Sequence, residues 1–302
     1  MPFQRRIAPV IAGFAFFAAL AVASPVASYA QDAAQQEYSP QVGQEGKDVI
    51  WVPTPQALVE RMLDMARVTQ KDYVIDLGSG DGRTVIAAAK RGARALGIEY
   101  NPDMVELSKR NAEKAGLAGR AQFIRGDIFQ TDFSEATVLT LYLLPSLNLK
   151  LRPTILKMKP GTRVVSHAFS MEDWQADQTE SVEGRTAYLW IVPAPVEGTW
   201  RWKGAGSGSS DYELTLRQHF QQVEGLVKLG AKTGQLRDAK LRGDRLSFTV
   251  YEPTGSNPIR RDFTGRVTGD TIEGTVKHPG GEAKWIAARQ REAAAEGAGT
   301  AR

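Results

Sequence analysis

Apolar and polar residues follow two different patterns along the chain. Between residues 48 and 195, short apolar runs are separated by segments with helical spacing. This order predicts an α/β domain with a doubly wound, mostly parallel sheet that helices cover on both faces. The predicted strands are 72–78, 93–99, 121–127, 136–145, 162–169 and 186–193, and the predicted helices are 83–91, 102–115 and 147–158.

After residue 197 the pattern changes to short segments in which apolar and polar residues alternate, as they do in β-strands. Turn signals such as Arg242-Gly243-Asp244 and Thr268-Gly269-Asp270 break them at intervals of about ten residues. This pattern predicts a small all-β C-terminal domain, either an antiparallel barrel or a sandwich. The predicted domains are 48–196 for the α/β part and 197–291 for the β part, with a disordered tail over 292–302.

The first 30 residues have the pattern of a secretory signal peptide. Two arginines precede a mostly apolar run over 7–23, and small residues follow it at a cleavage-like site. An uncleaved membrane anchor is the alternative. In both cases we expect the remainder to be exported, to the periplasm or beyond the cell. The polar, aperiodic stretch 31–47 is predicted to be a flexible leader.

The amino-acid composition excludes several kinds of functional site. The chain has no cysteine, which excludes disulfides, thiolate metal sites and cysteine nucleophiles. Its three histidines are far apart in the sequence, so no metal site is expected. The two arginines among residues 1–30, which hold no acid, lower the net charge from +4 to +2 when removed. With no basic run interleaved with aromatics, no nucleic-acid partner is expected.

The stretch "VIDLGSGDGRTVIAAA" over 74–89 carries the clearest chemical signal. Gly78, Gly80 and Gly82 lie between a predicted strand and a predicted helix. Glycine permits positive φ and lacks the Cβ that would keep a ligand away from the main chain. This order is typical of a site for a nucleotide-like ligand. Glu99 ends the next strand, where a carboxylate can accept hydrogen bonds from two ribose hydroxyls.

Two ligands fit these residues, a dinucleotide and S-adenosylmethionine. The third glycine comes one residue too early for the dinucleotide fingerprint. Asp76 and Asp81 would repel a pyrophosphate, whereas they suit a sulfonium and an ammonium group. Beyond the third strand, Asp127 can accept from an adenine amino group while Ile128 packs on the ring. The residues therefore favour S-adenosylmethionine over the cofactor of a nicotinamide-dependent oxidoreductase.

With "DLGSGDGR", "GIEYNP" and "GDIF", the sequence resembles the class I S-adenosylmethionine-dependent methyltransferases. It is most similar to the branch of protein-lysine methyltransferases that act on the c-subunit of ATP synthase and related proteins. The motifs that carry this resemblance are "WVPTP", "DLGSGDGRTVIAAA", "GIEYNP", "LYLLPSLN" and "GTRVVSH", within residues 48–193. The acidic or Asn-Pro-Pro-Tyr tetrad of nucleic-acid base and glutamine methylation is not present at residues 143–146.

The resemblance implies a set of cofactor-binding residues. In it, Asp76 and the glycine-rich main chain hold the methionine portion, and Thr54 closes over the methionine carboxylate. Glu99 binds the ribose. The full implied set is Thr54, Asp76, Gly78, Ser79, Gly80, Gly82, Glu99, Asn101, Asp127 and Ile128.

The expected activity is methyl transfer to an acceptor, with a protein lysine favoured over a small molecule. The acceptor is expected beyond the fourth strand, where Tyr142 can shield or hydrogen-bond it. His167 is a candidate proton acceptor at the same edge. For both residues a purely structural role is the alternative interpretation.

A second hypothesis belongs to a different class of function. In it, the chain is an exported binding or scaffold protein whose methyltransferase-like domain is catalytically inactive. Its β domain would then bind a ligand or a partner in the cell envelope. The signal-like first 30 residues motivate this hypothesis, and the intact loop carboxylates argue against it.

Overall fold

The structure, a computed structural model, describes residue 1 and residues 38–204, 211–252 and 257–290. Beyond Met1, the predicted signal peptide lies outside the described residues, as do residues 31–37 of the predicted leader and the predicted tail. No helix in the described part is both long enough and apolar enough to cross a membrane.

The first domain is built on a seven-stranded sheet with the strand order β3-β2-β1-β4-β5-β7-β6. Strands β1 to β5 run parallel, and β7 pairs antiparallel with both β5 and β6. The predicted doubly wound, mostly parallel sheet is confirmed. In chain order, the elements are α1 (Gln56–Met65), β1 (Tyr73–Leu77), α2 (Arg83–Lys90), β2 (Arg94–Glu99), α3 (Pro102–Lys114), β3 (Ala121–Arg125), β4 (Val138–Leu141), α4 (Pro145–Ile155), β5 (Arg163–His167), β6 (Gln178–Val182) and β7 (Arg185–Ile191).

The central strands are apolar because both of their faces are covered. All four residues of β4 are buried, as are four of the five in β1. On one face lie the buried side chains of α1, α2 and α3, such as Leu58, Val85 and Val105. On the other lie α4 and the loop that carries Trp174. This layering leaves the carboxyl ends of the parallel strands as the edge at which loops can form a site.

Local signals place the helix ends. The Asn101 side chain caps α3 by accepting from the Asp103 backbone N–H at 2.9 Å, and proline occupies the first helical position. The fourth helix begins at Pro145, two residues earlier than predicted, again with proline at its start. The fourth strand is correspondingly shorter than predicted, because the chain leaves the sheet after Leu141.

The helix α1 is absent from the predicted helices, and β6 is the strand of this domain that the apolar pattern misses. It is a polar sheet edge whose residues alternate between half-buried and exposed. A two-residue turn, Glu183-Gly184, joins it to β7, and both turn residues have positive φ, at 50° and 75°. Such turns match the twist of a hairpin. An edge strand needs no apolar face, so periodicity alone gives it little signal.

The second domain is a nine-stranded antiparallel sheet that curls into a nearly closed barrel. Its strand order is β11-β10-β9-β8-β16-β15-β14-β13-β12, and the two end strands are joined in the chain through Leu236 alone, which brings the ends of the sheet together. Of the two predicted architectures, the barrel is therefore the observed one. Its strands are β8 (Gly198–Lys203), β9 (Asp211–His219), β10 (Gln222–Leu229), β11 (Lys232–Gln235), β12 (Arg237–Arg242), β13 (Arg245–Glu252), β14 (Ile259–Thr268), β15 (Thr271–His278) and β16 (Gly281–Arg289).

Aromatic side chains fill the barrel. Trp202 stacks on Tyr212 with ring centres 4.7 Å apart, and Phe248 stacks on Phe263 at 4.9 Å. Trp285 lies edge-on to Phe263 at 5.2 Å. These rings project inward from alternating strand positions, which is the source of the short period in the sequence.

The two domains pack directly against each other. Phe220, at the turn between β9 and β10, stacks on Trp174 with ring centres 5.7 Å apart. At a second point, the Ala194 N–H donates to the Gly243 carbonyl at 2.8 Å. Trp174 is fully buried. It therefore serves as a packing residue at this junction rather than as a substrate contact.

Candidate active site

A cavity of about 620 Å³ opens at the carboxyl ends of β1 to β4. The loops that follow these four strands form its floor, and residues 44–54 form its cover. Asp76, Glu99 and Asp127 supply carboxylates around it, whereas Leu143 and Phe169 supply an apolar wall. The polar motifs thus lie around one cavity, because the loops that follow parallel strands all lie at the carboxyl-end edge of the sheet.

The glycine-rich loop passes beneath this cavity with positive φ at Gly78 and Gly80, at 82° and 54°. A Cβ on Gly80 would lie 2.7 Å from the Nε1 atom of Trp51 in the cover, and one on Gly78 would lie 3.3 Å from Leu143. Both glycines therefore permit a close approach that any other residue would obstruct.

Two members of the predicted set, Gly82 and Ser79, pack against neighbouring strands, and of the two only Ser79 lines the cavity. Gly82 does not line it, and a Cβ there would meet the Phe123 ring at 2.7 Å, so this glycine lets α2 pack closely. The Ser79 hydroxyl points toward Gly97 behind the loop and finds no partner among the described residues. Ser79 can serve a ligand only through its main chain.

Glu99 connects the loop to the second strand. Its Oε2 accepts from the Gly80 N–H at 2.9 Å, and its Oε1 accepts from the Asn101 N–H at 3.0 Å. Each carboxylate oxygen keeps a lone pair for a further donor, which suits the two hydroxyls of a ribose. The Asn101 side chain also borders the cavity, but its oxygen is already used to cap α3.

Asp76 is a buried carboxyl at the end of the first strand. Its Oδ1 accepts from the Thr140 hydroxyl at 2.5 Å. Burial, reinforced by the nearby charges of Glu99 and Asp81, raises the pKa of Asp76 to about 7. A cation in the cavity would favour its ionised form, because an opposite charge offsets part of the cost of burial.

Asp127 has a partner that its motif does not reveal. Its Oδ2 accepts from the Lys47 ammonium at 2.7 Å, and its Oδ1 accepts from the Phe129 N–H at 2.9 Å. Lys47 holds the pKa of Asp127 below its usual range. The Lys47 ammonium also lies 4.8 Å from the centre of the Tyr100 ring. Ile128 borders the cavity beside this pair, as an adenine contact would require.

Residues 43–51 form a short hairpin over the cavity, which we call the roof hairpin. The Gly43 N–H donates to the Trp51 carbonyl at 2.8 Å, and the Trp51 N–H donates to the Gln44 carbonyl at 2.9 Å. The described part of the predicted flexible leader, 38–47, is thus a hydrogen-bonded structure. Backbone hydrogen bonds and an ion pair stabilise this segment, which has no apolar face. Its polar composition therefore gave no sign of an ordered structure.

Thr54 links the roof to the floor. Its carbonyl accepts from the Arg83 guanidinium at 2.9 Å, and Arg83 also pairs with Asp81 at 2.6 Å. Its hydroxyl lies 3.0 Å from the Nδ1 atom of His167. Thr54 borders the cavity, but its hydroxyl is already engaged by His167.

Tyr142 lies at the apolar end of the cavity, and His167 lies beneath it. The two rings stack with centres 3.8 Å apart. His167 is buried and does not line the cavity, so the structure does not bring it within direct reach of an acceptor. Burial lowers the pKa of His167 to about 4, which leaves it neutral near pH 7. Its position supports Tyr142 rather than the direct proton transfer that the sequence suggested.

The lining residues that the predicted set lacks include three that contribute an aromatic face or a charge. Trp51 and Phe169 contribute aromatic faces, and Lys47 contributes a charge. The "WVPTP" motif contains Trp51, so that residue carried a signal. Phe169 and Lys47 carried none, because their place at the cavity depends on how the loops fold back. No cluster of three or more potential metal-ligating side chains occurs among the described residues.

Comparison with known proteins identifies the family. The profile described as "ANTKMT methyltransferase domain" matches residues 76–178, and one described as "DNA methylase" matches residues 35–110. A protein-lysine N-methyltransferase of Saccharolobus islandicus is 44% identical over 151 residues, which span 48% of this chain and 94% of the relative. The chain belongs to the class I S-adenosylmethionine-dependent methyltransferases.

Two further proteins are similar to this methyltransferase. A mouse lysine N-methyltransferase, named for the c-subunit of ATP synthase, is 34% identical over 184 residues, 61% of this chain and 71% of the relative. A solved structure described as an RNA methyltransferase from Salinibacter ruber with S-adenosyl-L-homocysteine is 52% identical. It covers 48% of this chain and 96% of its own, with a TM-score of 0.47. The matches give no support to a catalytically inactive scaffold or to a nicotinamide-dependent enzyme.

S-adenosylmethionine is the cofactor of this methyltransferase, and the site fits it. Gly78 and Gly80 border the cavity without a side chain, so the main chain can approach a ligand closely. Carboxylates at Asp76 and Glu99 match an ammonium and a ribose diol, respectively. The roles of the individual residues remain predictions from the motif.

Proposed function

We propose that this methyltransferase transfers a methyl group to the side-chain amine of a protein lysine. The observation that carries the proposal is the uncharged end of the cavity, where Tyr142, Leu143 and Phe169 lie beside the glycine-rich loop. Apolar surroundings disfavour the charged form of an amine and lower its pKa, so the neutral nucleophile becomes available. Two relatives that carry the name lysine N-methyltransferase support the same acceptor.

The reaction requires alignment more than acid–base catalysis. When bound, S-adenosylmethionine supplies a methyl group on a positively charged sulfur that leaves readily. The chain holds the reactants in line, with Gly78, Gly80 and Glu99 on one side and the apolar wall on the other. The amine nitrogen forms the new N–C bond while the C–S bond breaks and its electron pair stays on sulfur. A proton on the methylated amine then passes to solvent.

The proposal is tested by following the label from methyl-labelled S-adenosylmethionine. The full-length chain is incubated with polylysine, polyarginine or an RNA of mixed sequence, and each acceptor is hydrolysed and analysed. Label recovered as methylated lysine supports the proposal. Label in RNA or in arginine, or none in any acceptor, overturns it.

Two substitutions of glutamate make the test specific to the cavity. Glu99→Ala removes a carboxylate that lines the site, so labelling is expected to fall by tenfold or more. Glu106→Ala removes an exposed carboxylate from α3 and is expected to leave labelling unchanged. Equal labelling by both variants would mean that the reaction occurs elsewhere.

We also propose that the chain acts outside the cytoplasm. The support is the charged and apolar pattern over residues 1–30. Cell fractionation followed by mass spectrometry of the N-terminal peptide tests it, and an intact chain confined to the cytoplasm contradicts it. The envelope partner of the C-terminal β domain stays a prediction.

A further inference from the structure

The end of β5 contains a strained turn beside the cavity. The Phe169 N–H donates to the His167 carbonyl at 2.8 Å, and the residue between them, Ala168, has φ of 63°. A hydrogen bond across three residues with positive φ at the centre is typical of the rare form of γ-turn. Strain of this kind persists only where the surroundings enforce it, and it concentrates at functional sites.

Buried polar groups hold this turn from behind. The Ser166 hydroxyl donates to the Phe169 carbonyl at 2.9 Å, and the Asn148 amide donates to the same carbonyl at 3.3 Å. The Ala168 N–H donates to the Thr186 carbonyl at 2.7 Å. Both Ser166 and Asn148 are fully buried. The backbone at Phe169 is therefore fixed by three elements, α4, β5 and β7.

The fixed turn sets Phe169 beside Tyr142 on the wall of the cavity. The two rings are nearly parallel, with an angle of 22° between their planes and 6.2 Å between their centres. His167 backs Tyr142 from the other direction, and burial together with the charge of Arg185 lowers the pKa of His167 to about 4, so the ring stacked on Tyr142 is uncharged near pH 7. Aromatic faces of this kind attract cations, and they do so most strongly where water is excluded.

We propose that Tyr142 and Phe169 form an aromatic subsite that holds the alkylammonium group of the acceptor between successive methyl transfers. The subsite thereby sets how many methyl groups one acceptor receives before release. The inference rests on the proposed lysine acceptor. Each transfer leaves a cation that is bulkier and less hydrated than the one before, so the aromatic faces retain it until a proton on its nitrogen passes to solvent and the neutral amine can accept the next methyl group. The strained turn keeps one ring preorganised, which reduces the entropy lost on binding.

The test compares Phe169→Leu with Phe169→Tyr in the full-length chain. Leucine keeps apolar bulk without an aromatic face, whereas tyrosine keeps the face. Mass spectrometry of polylysine-type peptides gives the proportions of mono-, di- and trimethylated lysine, and calorimetry gives the affinity for S-adenosylmethionine. The leucine variant is expected to lower kcat/KM by about tenfold and to shift the products toward monomethyllysine. The tyrosine variant is expected to restore both.

The outcomes separate the inference from the proposed function. An unchanged product distribution in Phe169→Leu, or one that tyrosine fails to restore, overturns the aromatic subsite while lysine methylation stands. A parallel loss of S-adenosylmethionine affinity also overturns it, because Phe169 would then act on the cofactor. If the unaltered chain methylates no lysine, the proposed function fails first, and the inference fails with it.

Discussion

Gly80 is the residue at which main chain, roof and cavity meet. A methyl group there would lie 2.7 Å from Trp51 and would force the roof outward. We expect Gly80→Ala to weaken S-adenosylmethionine binding by tenfold or more, since overpacking costs about 1–3 kcal/mol. Calorimetry of cofactor binding measures the effect.

Gly116 provides the matched control for this substitution. Its φ of 69° imposes similar backbone strain, but a Cβ there would meet nothing within 4 Å. Gly116→Ala is expected to lower stability by about 1–2 kcal/mol while leaving the affinity intact. Equal losses of affinity in both variants would show that strain, not the roof, explains the result.

Asp76 predicts a dependence on pH. Its pKa is raised from 3.8 to about 7 in the folded chain, so between these values the folded state binds more protons than the unfolded state. The contribution of Asp76 to the free energy of unfolding therefore falls as pH rises from about 4 to about 7, and is level above that. Chemical denaturation across this range should show the fall, and Asp76→Asn should remove it.

Cofactor binding should show the opposite trend at the same residue. A cation near Asp76 favours its ionised form, so binding below pH 7 releases a proton, and affinity rises with pH up to about 7. Calorimetry at pH 6 in two buffers of different ionisation enthalpy counts the released protons. The interpretation would be wrong if Asp76→Asn released the same number.

Single residues also mark a limit of sequence reasoning. The motif predicts a close approach of the main chain at Gly78 and Gly80, whose spacing places them in the turn after β1, and both residues line the cavity. It cannot indicate that Gly82 faces Phe123, or that the Ser79 hydroxyl turns toward Gly97. These directions depend on neighbours that come from distant parts of the chain.

At the scale of elements, the roof hairpin is joined to the loop after β3 by an ion pair. Lys47 meets Asp127 at 2.7 Å, and both side chains are partly exposed. Lys47→Gln removes this attraction, so we expect S-adenosylhomocysteine to dissociate about threefold faster. Salt should speed dissociation from the unaltered chain more than from the variant. Stopped-flow measurement of release reports both effects.

A second lysine supplies the control for this element. Lys109 pairs with Glu106 at 2.8 Å on the exposed side of α3. Lys109→Gln removes a comparable surface ion pair without touching the roof, so its release rate should equal that of the unaltered chain. A faster rate in both variants would point to overall charge rather than to the hairpin.

The elements themselves were largely predictable, for physical reasons. Strands such as β1 and β4 are buried on both faces and must be apolar, and α3 carries its own end signals. The polar strand β6 and the roof hairpin lack such patterns. Backbone hydrogen bonds and ion pairs stabilise them, and neither leaves a period in the sequence.

At the scale of the whole molecule, Phe220 joins the barrel to the methyltransferase domain. It stacks on Trp174 and also lies 5.3 Å from the Arg152 guanidinium. We expect Phe220→Ala to cost about 1–3 kcal/mol and to weaken the coupling between the domains. Calorimetric unfolding should then separate into two transitions.

Ile286 is the comparison residue for this prediction. It lies on the outer face of the barrel and is 62% exposed. Ile286→Ala should leave the unfolding profile unchanged. If the Phe220 variant also unfolds in a single, unshifted transition, then the contact with Trp174 does not couple the two domains.

The roof hairpin continues directly into the chain that precedes it. The Tyr38 hydroxyl accepts from the Gln44 amide at 2.6 Å, so the connection is tight. A purification tag, fusion partner or surface tether attached directly at residue 38 would therefore pull on the hairpin that covers the cofactor site. A tag or tether attached at residue 290 would pull on the barrel instead. Instruments that immobilise the protein through a link at residue 38 should record faster cofactor exchange than those that hold it through a link at residue 290.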